Sequence, residues 1–186
     1  MQILAIADDD SLICKLAGTR PDVLISLGDM SDAALLRAMD FYQPRVTFAV
    51  RGNHDSIAPF PKGVIDLHCQ MHTFEGVRFG GFAGSWKYKP KGNHLFAQSE
   101  ATVLLRNFPP VDIFAAHNSP AGVHERDRET HQGFDALADY VFRCEPPCIL
   151  HGHQHVAKAS RYGGTMIVGV FGERLLDLDF APQAVE

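Results

Sequence analysis

The ten residues VTFAVRGNHD, Val46 to Asp55, set an apolar run directly against a polar cluster. Val46–Val50 consists of β-branched and apolar residues, as a strand buried on both faces should. The polar residues that follow include an amide, an imidazole and a carboxylate, so we predict a functional loop at the end of this strand. The question is whether other strands end in the same way.

Four other apolar runs are each followed by polar residues of similar chemistry. In an α/β sheet, ligands bind beyond the carboxyl ends of the strands, where the loops converge. One strand-end Asp or His is usually a cap or turn residue, but five together predict a single site. The other four runs and their polar ends are Ile3–Ala7 before Asp8, Val23–Leu27 before Gly28-Asp29, Val111–Ala116 before His117, and Cys148–Leu150 before His151-Gly152-His153-Gln154-His155.

Helical patterns lie between the apolar runs, and two hairpins are indicated. Apolar residues recur at helical spacing in three stretches that begin at Leu35, Ala101 and Phe134, and Ser31 is a suitable N-cap for the first. Turns at Glu75-Gly76 and Gly163-Gly164 predict hairpins, and the alternation from Leu176 to Phe180 predicts a tail strand. We expect a layered α/β fold, with a mixed sheet or two packed mixed sheets flanked by helices, in one domain over residues 1–186.

Composition limits the function classes. The chain has 186 residues, 46% of them hydrophobic, and a net charge of −5, so it lacks the basic surplus of a general nucleic-acid or membrane-surface binder. No apolar stretch has the length to span a bilayer, and no leader pattern precedes the first strand. The cytoplasm is the expected compartment, and the four cysteines are expected to be free thiols.

The strand-end residues suit divalent transition metals. Imidazole and carboxylate oxygen are appropriate ligands for manganese, iron or zinc. With this many ligands, a two-metal site is more natural than a single ion, and such sites stabilise both the attacking and the leaving oxygen in phosphoryl transfer.

The ordered motifs resemble the calcineurin-like metallophosphoesterase superfamily, in particular its small single-domain bacterial members. The matching blocks are Asp8-x-Asp10, Gly28-Asp29-x-x-Asp32, Gly52-Asn53-His54-Asp55, His117 and Gly152-His153-Gln154-His155, against D-x-H, G-D-x-x-D, G-N-H-[DE], H and G-H-x-H. Each block is weak alone, but the ordered set is specific and extends from residue 8 to residue 155.

The resemblance implies a ligand set for each of two divalent metals, manganese first, with iron, zinc or magnesium as alternatives. One metal would take Asp8, residue 10, Asp29 and His155, and the other Asp29, Asn53, His117 and His153. A bridging hydroxide would attack the phosphoester, and His54 would stabilise the phosphate or protonate the leaving oxygen, with Asp55 tuning it. Arg51 would contact phosphate, or else form a surface ion pair.

Residue 10 departs from the family pattern, because Asp10 stands where the family has histidine. Asp10 has three possible roles: it ligates through oxygen, it supports a ligand from behind, or it marks a weakened first metal site. An oxygen-rich site should favour manganese or magnesium over zinc.

Three functions remain open at the level of sequence. The first is an enzyme that hydrolyses a small phosphodiester or phosphomonoester. The second is a non-catalytic binding scaffold, as in small relatives that have lost metal ligands, and the third is a nuclease, against which the acidic balance weighs. The segment Trp86–His94 is either a substrate loop, with three lysines and two aromatic rings, or a solvated loop, and His124 and His131 are further candidates for the pocket.

Overall fold

The computed structural model describes residues 1–126 and 129–179 and contains two packed β-sheets between helices. Thirteen strands and three α-helices are described in these ranges. The strands are β1 (Gln2–Ala7), β2 (Val23–Ser26), β3 (Val46–Ala49), β4 (Val64–Asp66), β5 (Met71–Phe74), β6 (Val77–Phe82), β7 (Ser85–Trp86), β8 (Leu95–Phe96), β9 (Ile113–Ala116), β10 (Cys148–His151), β11 (Ala159–Tyr162), β12 (Thr165–Gly169) and β13 (Gly172–Asp177); the helices are α1 (Asp32–Tyr42), α2 (Gln98–Leu105) and α3 (Asp135–Cys144).

Both large sheets are mixed. The first has the order β13-β1-β2-β3-β4, and only β13 runs antiparallel to its neighbour. The second has the order β11-β12-β10-β9-β6-β5, with antiparallel pairs at both edges. The parallel strands of each sheet therefore end at a common edge, which is where the polar loops lie. The predicted fold class is confirmed.

The two sheets pack face to face, with α1 on the outer face of the first sheet and α2 and α3 on that of the second. Strand β1 shows why, because its side chains alternate between two apolar environments: Ile3 and Ala5 face the second sheet, whereas Leu4 and Ile6 face α1. Phe48 stacks on Phe79 across the interface, with ring centroids 4.7 Å apart. Helices α2 and α3 cover the other face of the second sheet.

Local signals explain the helix start and the turns. The Ser31 side chain accepts a hydrogen bond from the Ala34 backbone N–H, so Ser31 caps α1 as predicted. Glu75 and Gly76 both have positive φ, which suits a tight two-residue hairpin turn, and they join β5 to β6. The hairpin of β11 and β12 around residues 163–164 is also present.

The tail of the chain differs from the prediction. A continuous strand was expected over Thr165–Phe171, but β12 ends at Gly169 and a new strand begins at Gly172. The φ of Gly172 is +77°, and the turn sends β13 to the other sheet, where it pairs with β1. The predicted tail strand from residue 176 thus ends at Asp177, and Phe180 lies outside the described residues.

None of the helices in residues 1–126 and 129–179 combines the length and apolarity needed to cross a bilayer.

Candidate metal centre

Loops from the two sheets meet at one edge and form a shared cluster of polar side chains. His117, after β9, places Nε2 3.1 Å from Asn53 Oδ1 and 3.5 Å from Asp29 Oδ2, although these partners follow strands of the other sheet. The His153 backbone N–H, after β10, donates to Asp8 Oδ1 at 3.0 Å. Five of the predicted residues are therefore brought into one site by the packing of the sheets.

Close backbone approach makes glycine necessary in two of these loops. A Cβ atom on Gly52 would lie 2.1 Å from Asp29 Oδ1, and one on Gly28 would lie 2.4 Å from the Gly52 nitrogen. The backbone is also unusual at Asp8, Asp29 and His153, whose φ values are +67°, +52° and +61°. Such conformations cost energy and concentrate at functional sites, because the surrounding structure must hold them.

Two buried histidines have one ring nitrogen fixed by a backbone carbonyl. His117 Nδ1 lies 2.8 Å from the Leu27 oxygen, and His153 Nε2 lies 2.9 Å from the Thr130 oxygen. A carbonyl accepts only, so these nitrogens are the protonated ones in this arrangement. His153 Nδ1 then keeps its lone pair, whereas His117 Nε2 faces a second acceptor, Asn53 Oδ1, at 3.1 Å. Burial lowers the pKa of His153 to about 2, which keeps its ring neutral, as metal ligation requires. Asp29 offers a carboxylate oxygen, and His117 and His153 each offer a ring nitrogen. These three atoms lie within 4.8 Å of one another.

Asp8 carries a buried oxygen that lacks a hydrogen-bond partner in the described structure. This atom is Oδ2, whereas Oδ1 accepts the His153 N–H. Burial raises the pKa of Asp8 to about 7; nearby His117 lowers it, and the carboxylates of Asp29 and Asp55 raise it further. A cation at this position would satisfy the orphaned oxygen and the accumulated negative charge. The donor set therefore fits a divalent metal.

Asp55 is buried and holds two loops together. Its Oδ2 accepts backbone N–H groups from Gly52 at 2.7 Å and from Asp29 at 2.9 Å. Burial raises the pKa of Asp55, while the N–H group of Gly52 opposes that shift. Asp55 therefore supplies the acceptor that these two buried backbone N–H groups need. The expected influence of Asp55 on His54 stays a prediction.

His54 and His155 lie at the open side of the site. The His54 backbone N–H donates to Asp29 Oδ1 at 2.8 Å, while its ring is 69% exposed with Nε2 4.0 Å from Asp29 Oδ2. A ring that exposed can approach a substrate. His155 is also exposed and packs near Phe171, with ring centroids 5.1 Å apart, outside the compact set of Asp29, His117 and His153.

The Asp10 carboxylate binds the start of α1. Its oxygens accept the Ser31 backbone N–H at 3.1 Å and the Ser31 hydroxyl at 2.5 Å, and Arg37 donates to its backbone carbonyl. Oxygen ligation by Asp10 stays a prediction, and in this geometry it would require a rotation away from Ser31. Asp9 points elsewhere, because its carboxylate accepts from the backbone and hydroxyl of Ser11.

Arg51 is only 5% exposed, and its guanidinium already has intramolecular partners. It donates to Asp32 Oδ1 at 2.7 Å and to the Ala58 carbonyl at 3.1 Å, and it lies 3.9 Å from the centroid of the Phe60 ring. The ion pair considered for this residue exists, but the arginine is buried and not at the surface. The alternative contact with phosphate stays a prediction.

An open cleft of about 500 Å³ lies beside the cluster, and carboxylates dominate its lining. Among the described residues, six aspartates and one arginine face it. The ionised carboxylates among these residues repel a phosphoester, and a bound cation would offset that repulsion. The lining residues are Asp8, Asp9, Asp10, Asp29, Met30, Ser31, Asp32, Arg51, His54, Asp55 and Ser56.

Tyr88 and His131 are neighbours of the site that strand-end reasoning did not assign. The Tyr88 hydroxyl is 3.4 Å from Asn53 Nδ2, and the His131 ring centroid is 5.3 Å from that of His153. Tyr88 lies in the segment Trp86–His94, for which the sequence left open a substrate loop or a solvated loop, and His131 was a further candidate for the pocket. His124, the other candidate there, instead contacts His151 at 2.8 Å. The carbonyls that orient the ligand histidines carry no sequence signal, because every residue has one.

The fold and the cluster together define an α/β protein with two packed sheets and a group of potential metal ligands at their common edge. The profile of the calcineurin-like phosphoesterase family matches residues 8–157, so the chain belongs to that family. The resemblance inferred from the motifs is thereby confirmed.

Solved structures with this fold share little sequence with the chain. The protein TT1561 of Thermus thermophilus is 19% identical with a TM-score of 0.61, and the match covers 90% of this chain and 88% of that one. A phosphopantetheinyl hydrolase from Mycobacterium tuberculosis is 15% identical with a TM-score of 0.58 and 98% coverage of both chains. Vps29 from Entamoeba histolytica, complexed with Zn²⁺, is 13% identical with a TM-score of 0.51, covering 92% of this chain and 74% of that one. Comparison with curated protein sequences gave no significant match.

Proposed function

We propose that this protein is a metal-dependent phosphoesterase that hydrolyses a small phosphodiester or phosphomonoester. The observation that carries the proposal is the group formed by Asp29, His117 and His153, whose donor atoms lie within 4.8 Å of one another. The hydrogen bonds to Leu27 and Thr130 occupy one nitrogen of each of the two rings, and the second nitrogen is the one available to a metal ion. A purely structural cluster has no need to bring two buried imidazoles and a carboxylate this close together.

Two overlapping sets of residues would hold two divalent ions, with manganese as the first candidate and iron, zinc or magnesium as alternatives. Asp29, Asn53, His117 and His153 form one set, and Asp8, Asp29 and His155 form the other, with Asp10 as its fourth member if it turns from Ser31. When bound, such ions supply Lewis-acid chemistry that activates water and neutralises charge on phosphoryl oxygens.

The side chains of the chain then have separate tasks. His54, exposed beside Asp29, is placed to give a proton to the departing oxygen or to hold the phosphate. Asp55 fixes the loops that carry Asp29 and Asn53 by accepting two backbone N–H groups. Arg51 links the loop that carries Asn53 to the start of α1 through its ion pair with Asp32, and its contact with a substrate phosphate stays a prediction.

One observation favours a second candidate, a binding scaffold without turnover. Both Asp10 oxygens are bonded to Ser31, so the set around Asp8 has one donor fewer than the family pattern provides. A protein that holds only the ion at Asp29, His117 and His153 would retain the fold and lose two-metal catalysis. A nuclease is less favoured than an esterase for small phosphoesters, because the cleft is acidic.

Add-back of metals separates the two candidates. Chelator-treated protein is supplied with manganese, iron, zinc or magnesium, and hydrolysis of para-nitrophenyl phosphate and bis-para-nitrophenyl phosphate is followed. We expect turnover with at least one metal, highest with manganese. Binding of manganese without hydrolysis of either ester under any metal would support the scaffold and refute the enzyme.

Two variants locate the activity. His54→Ala should lower kcat strongly and leave the bound metal unchanged, because the ring is exposed and is not required for ligation. His117→Gln should lower manganese affinity, measured by calorimetry, and His72→Gln is the matched control, since His72 lies on β5 outside the cluster. Equal activity of His54→Ala and the parent protein would remove His54 from the mechanism.

A further inference from the structure

The loop from Lys87 to His94, which we name the lysine loop, connects β7 to β8 and contacts the loop after β3. The Tyr88 hydroxyl accepts from Asn53 Nδ2 at 3.4 Å. The Asn93 side chain donates from Nδ2 to the Asp55 backbone carbonyl at 2.9 Å. The lysine loop is therefore attached to the candidate metal centre at both of these residues.

The base of the lysine loop is fixed as well. His94 Nε2 lies 3.0 Å from the Ser56 carbonyl, and the His94 carbonyl accepts from the Ser85 N–H at 3.0 Å. The Gly84 N–H donates to the Arg51 carbonyl at 2.7 Å, and a Cβ atom on Gly84 would lie 2.0 Å from the His94 oxygen. A solvated surface loop has no need of so many contacts with catalytic-site backbone, so this loop is part of the site.

Charge gives the lysine loop a function that the cleft cannot supply. The described residues lining the cleft include six aspartates, and the single arginine among them is engaged with Asp32 and neighbouring carbonyls. The lysine loop carries Lys87, Lys89 and Lys91 on a segment bonded to Asn53. Lys89 Nζ lies 5.1 Å from the centroid of the Tyr88 ring. Lys89 thus lies beside the tyrosine that contacts Asn53, and the described lining of the acidic cleft includes no residue of the lysine loop.

We propose that the lysine loop is a specificity element that binds a second phosphate group on the substrate. This inference rests on the proposed function and narrows it: the substrate class is a phosphoester that bears a further phosphate beyond the scissile one. Bound metal would engage the scissile group, and the lysines would engage the second group, because a compact ammonium binds phosphate as a point charge.

A matched pair of chromogenic esters tests the proposal. The para-nitrophenyl ester of thymidine 5′-phosphate and its analogue with an added 3′-phosphate release the same leaving group and differ only in the second phosphate. We expect the 3′-phosphate to lower KM by about five- to twentyfold, as a few exposed ion pairs provide. In the triple variant Lys87→Ala, Lys89→Ala, Lys91→Ala, the two esters should have the same KM with kcat little changed.

Lys15→Ala is the control, because Lys15 is exposed on the loop after β1, where its backbone N–H donates to Glu173 of β13, and this variant should retain the preference. All substituted lysines lie in loops, so the variants are expected to fold. Equal KM values for the two esters in the parent protein, or an unchanged preference in the triple variant, would overturn the proposal.

A binding measurement keeps the test independent of turnover. Trp86 is the only tryptophan in the sequence and directly precedes the lysine loop, so its fluorescence reports on occupancy. We expect thymidine 3′,5′-bisphosphate to change this emission saturably in the parent protein and in Lys15→Ala, but at least about fivefold more weakly in the triple variant. If neither ester is hydrolysed, the proposed function fails and this titration decides: lysine-dependent binding supports the phosphate site, and lysine-independent or absent binding refutes it.

Discussion

Replacing Asp8 with asparagine should stabilise the metal-free protein, and more so as the pH rises. Burial raises the pKa of Asp8 from the 3.8 of an ordinary aspartate to about 7. Between these values the folded state holds a proton that the unfolded state has released, so folding stability falls with rising pH. Over roughly three pH units at about 1.4 kcal/mol each, the loss amounts to at most about 4 kcal/mol. Asparagine at this position cannot ionise and escapes that loss.

The assay is urea unfolding of chelator-treated protein at a series of pH values. The stability of Asp8→Asn minus that of the parent should increase from about pH 4 to pH 7 and then stay constant. Burial lowers the pKa of His151 to about 3 and that of His153 to about 2, so these two histidines destabilise the fold as the pH falls. Their effect is opposite in direction to that of Asp8 and is present in both proteins. Subtracting the two stabilities removes it.

Asp9→Asn is the control for this experiment. Asp9 is adjacent, but its carboxylate accepts hydrogen bonds from Ser11, which lower its pKa, so its substitution should produce no gain at high pH. Manganese should cancel the advantage of Asp8→Asn, because the ion favours the ionised carboxylate of the parent protein. Parallel stability curves for Asp8→Asn and the parent from pH 4 to pH 8 would refute the reasoning.

Three further substitutions test separate parts of the site. Asp10→His should weaken the start of α1 by about 1 kcal/mol, since Ser31 loses both hydrogen bonds, and should raise the metal content per chain measured by elemental analysis; an unchanged metal content contradicts the weakened-site interpretation. Asp55→Ala should cost about 2–4 kcal/mol in urea unfolding, because two backbone N–H groups lose their acceptor, and a cost below that of an ordinary surface substitution would show that water replaces it. Gly84→Ala should displace the His94 carbonyl, which would lie 2.0 Å from the new methyl group, and should remove the preference for a second phosphate while manganese affinity is kept; an unaltered preference would disconnect the lysine loop from this contact.

The strand-end residues could be predicted from sequence because burial and topology act together. Runs such as Val23–Leu27 are apolar on both faces, so their strands lie inside a layered fold and their loops meet at one edge. The hairpin at Glu75-Gly76 could also be predicted from the sequence, since a tight turn needs residues that tolerate positive φ. These features depend on local pattern and on general rules of α/β topology.

Other features depend on partners that are distant in the sequence. The pairing of β13 with β1 could not be inferred from the alternation near residue 176, because alternation does not specify which strand lies alongside. Strands β4, β7 and β8 have two or three residues each, which is too few to show a period. The sequence left three roles open for Asp10, and its contact with Ser31 spans 21 positions.

The pairing of β13 with β1 also has a consequence for biosynthesis. The residues of β13 are synthesised long after those of β1, so this edge of β1 stays unpaired until residues 172–177 have emerged. Until then, the nascent chain exposes a row of free backbone donors and acceptors beside apolar side chains, which invites association with other chains. Pairing of the β13 edge of β1 is therefore expected only after residues 172–177 have been synthesised, and a chain interrupted before Gly172 should be retained by chaperones or degraded rather than accumulate in a native form.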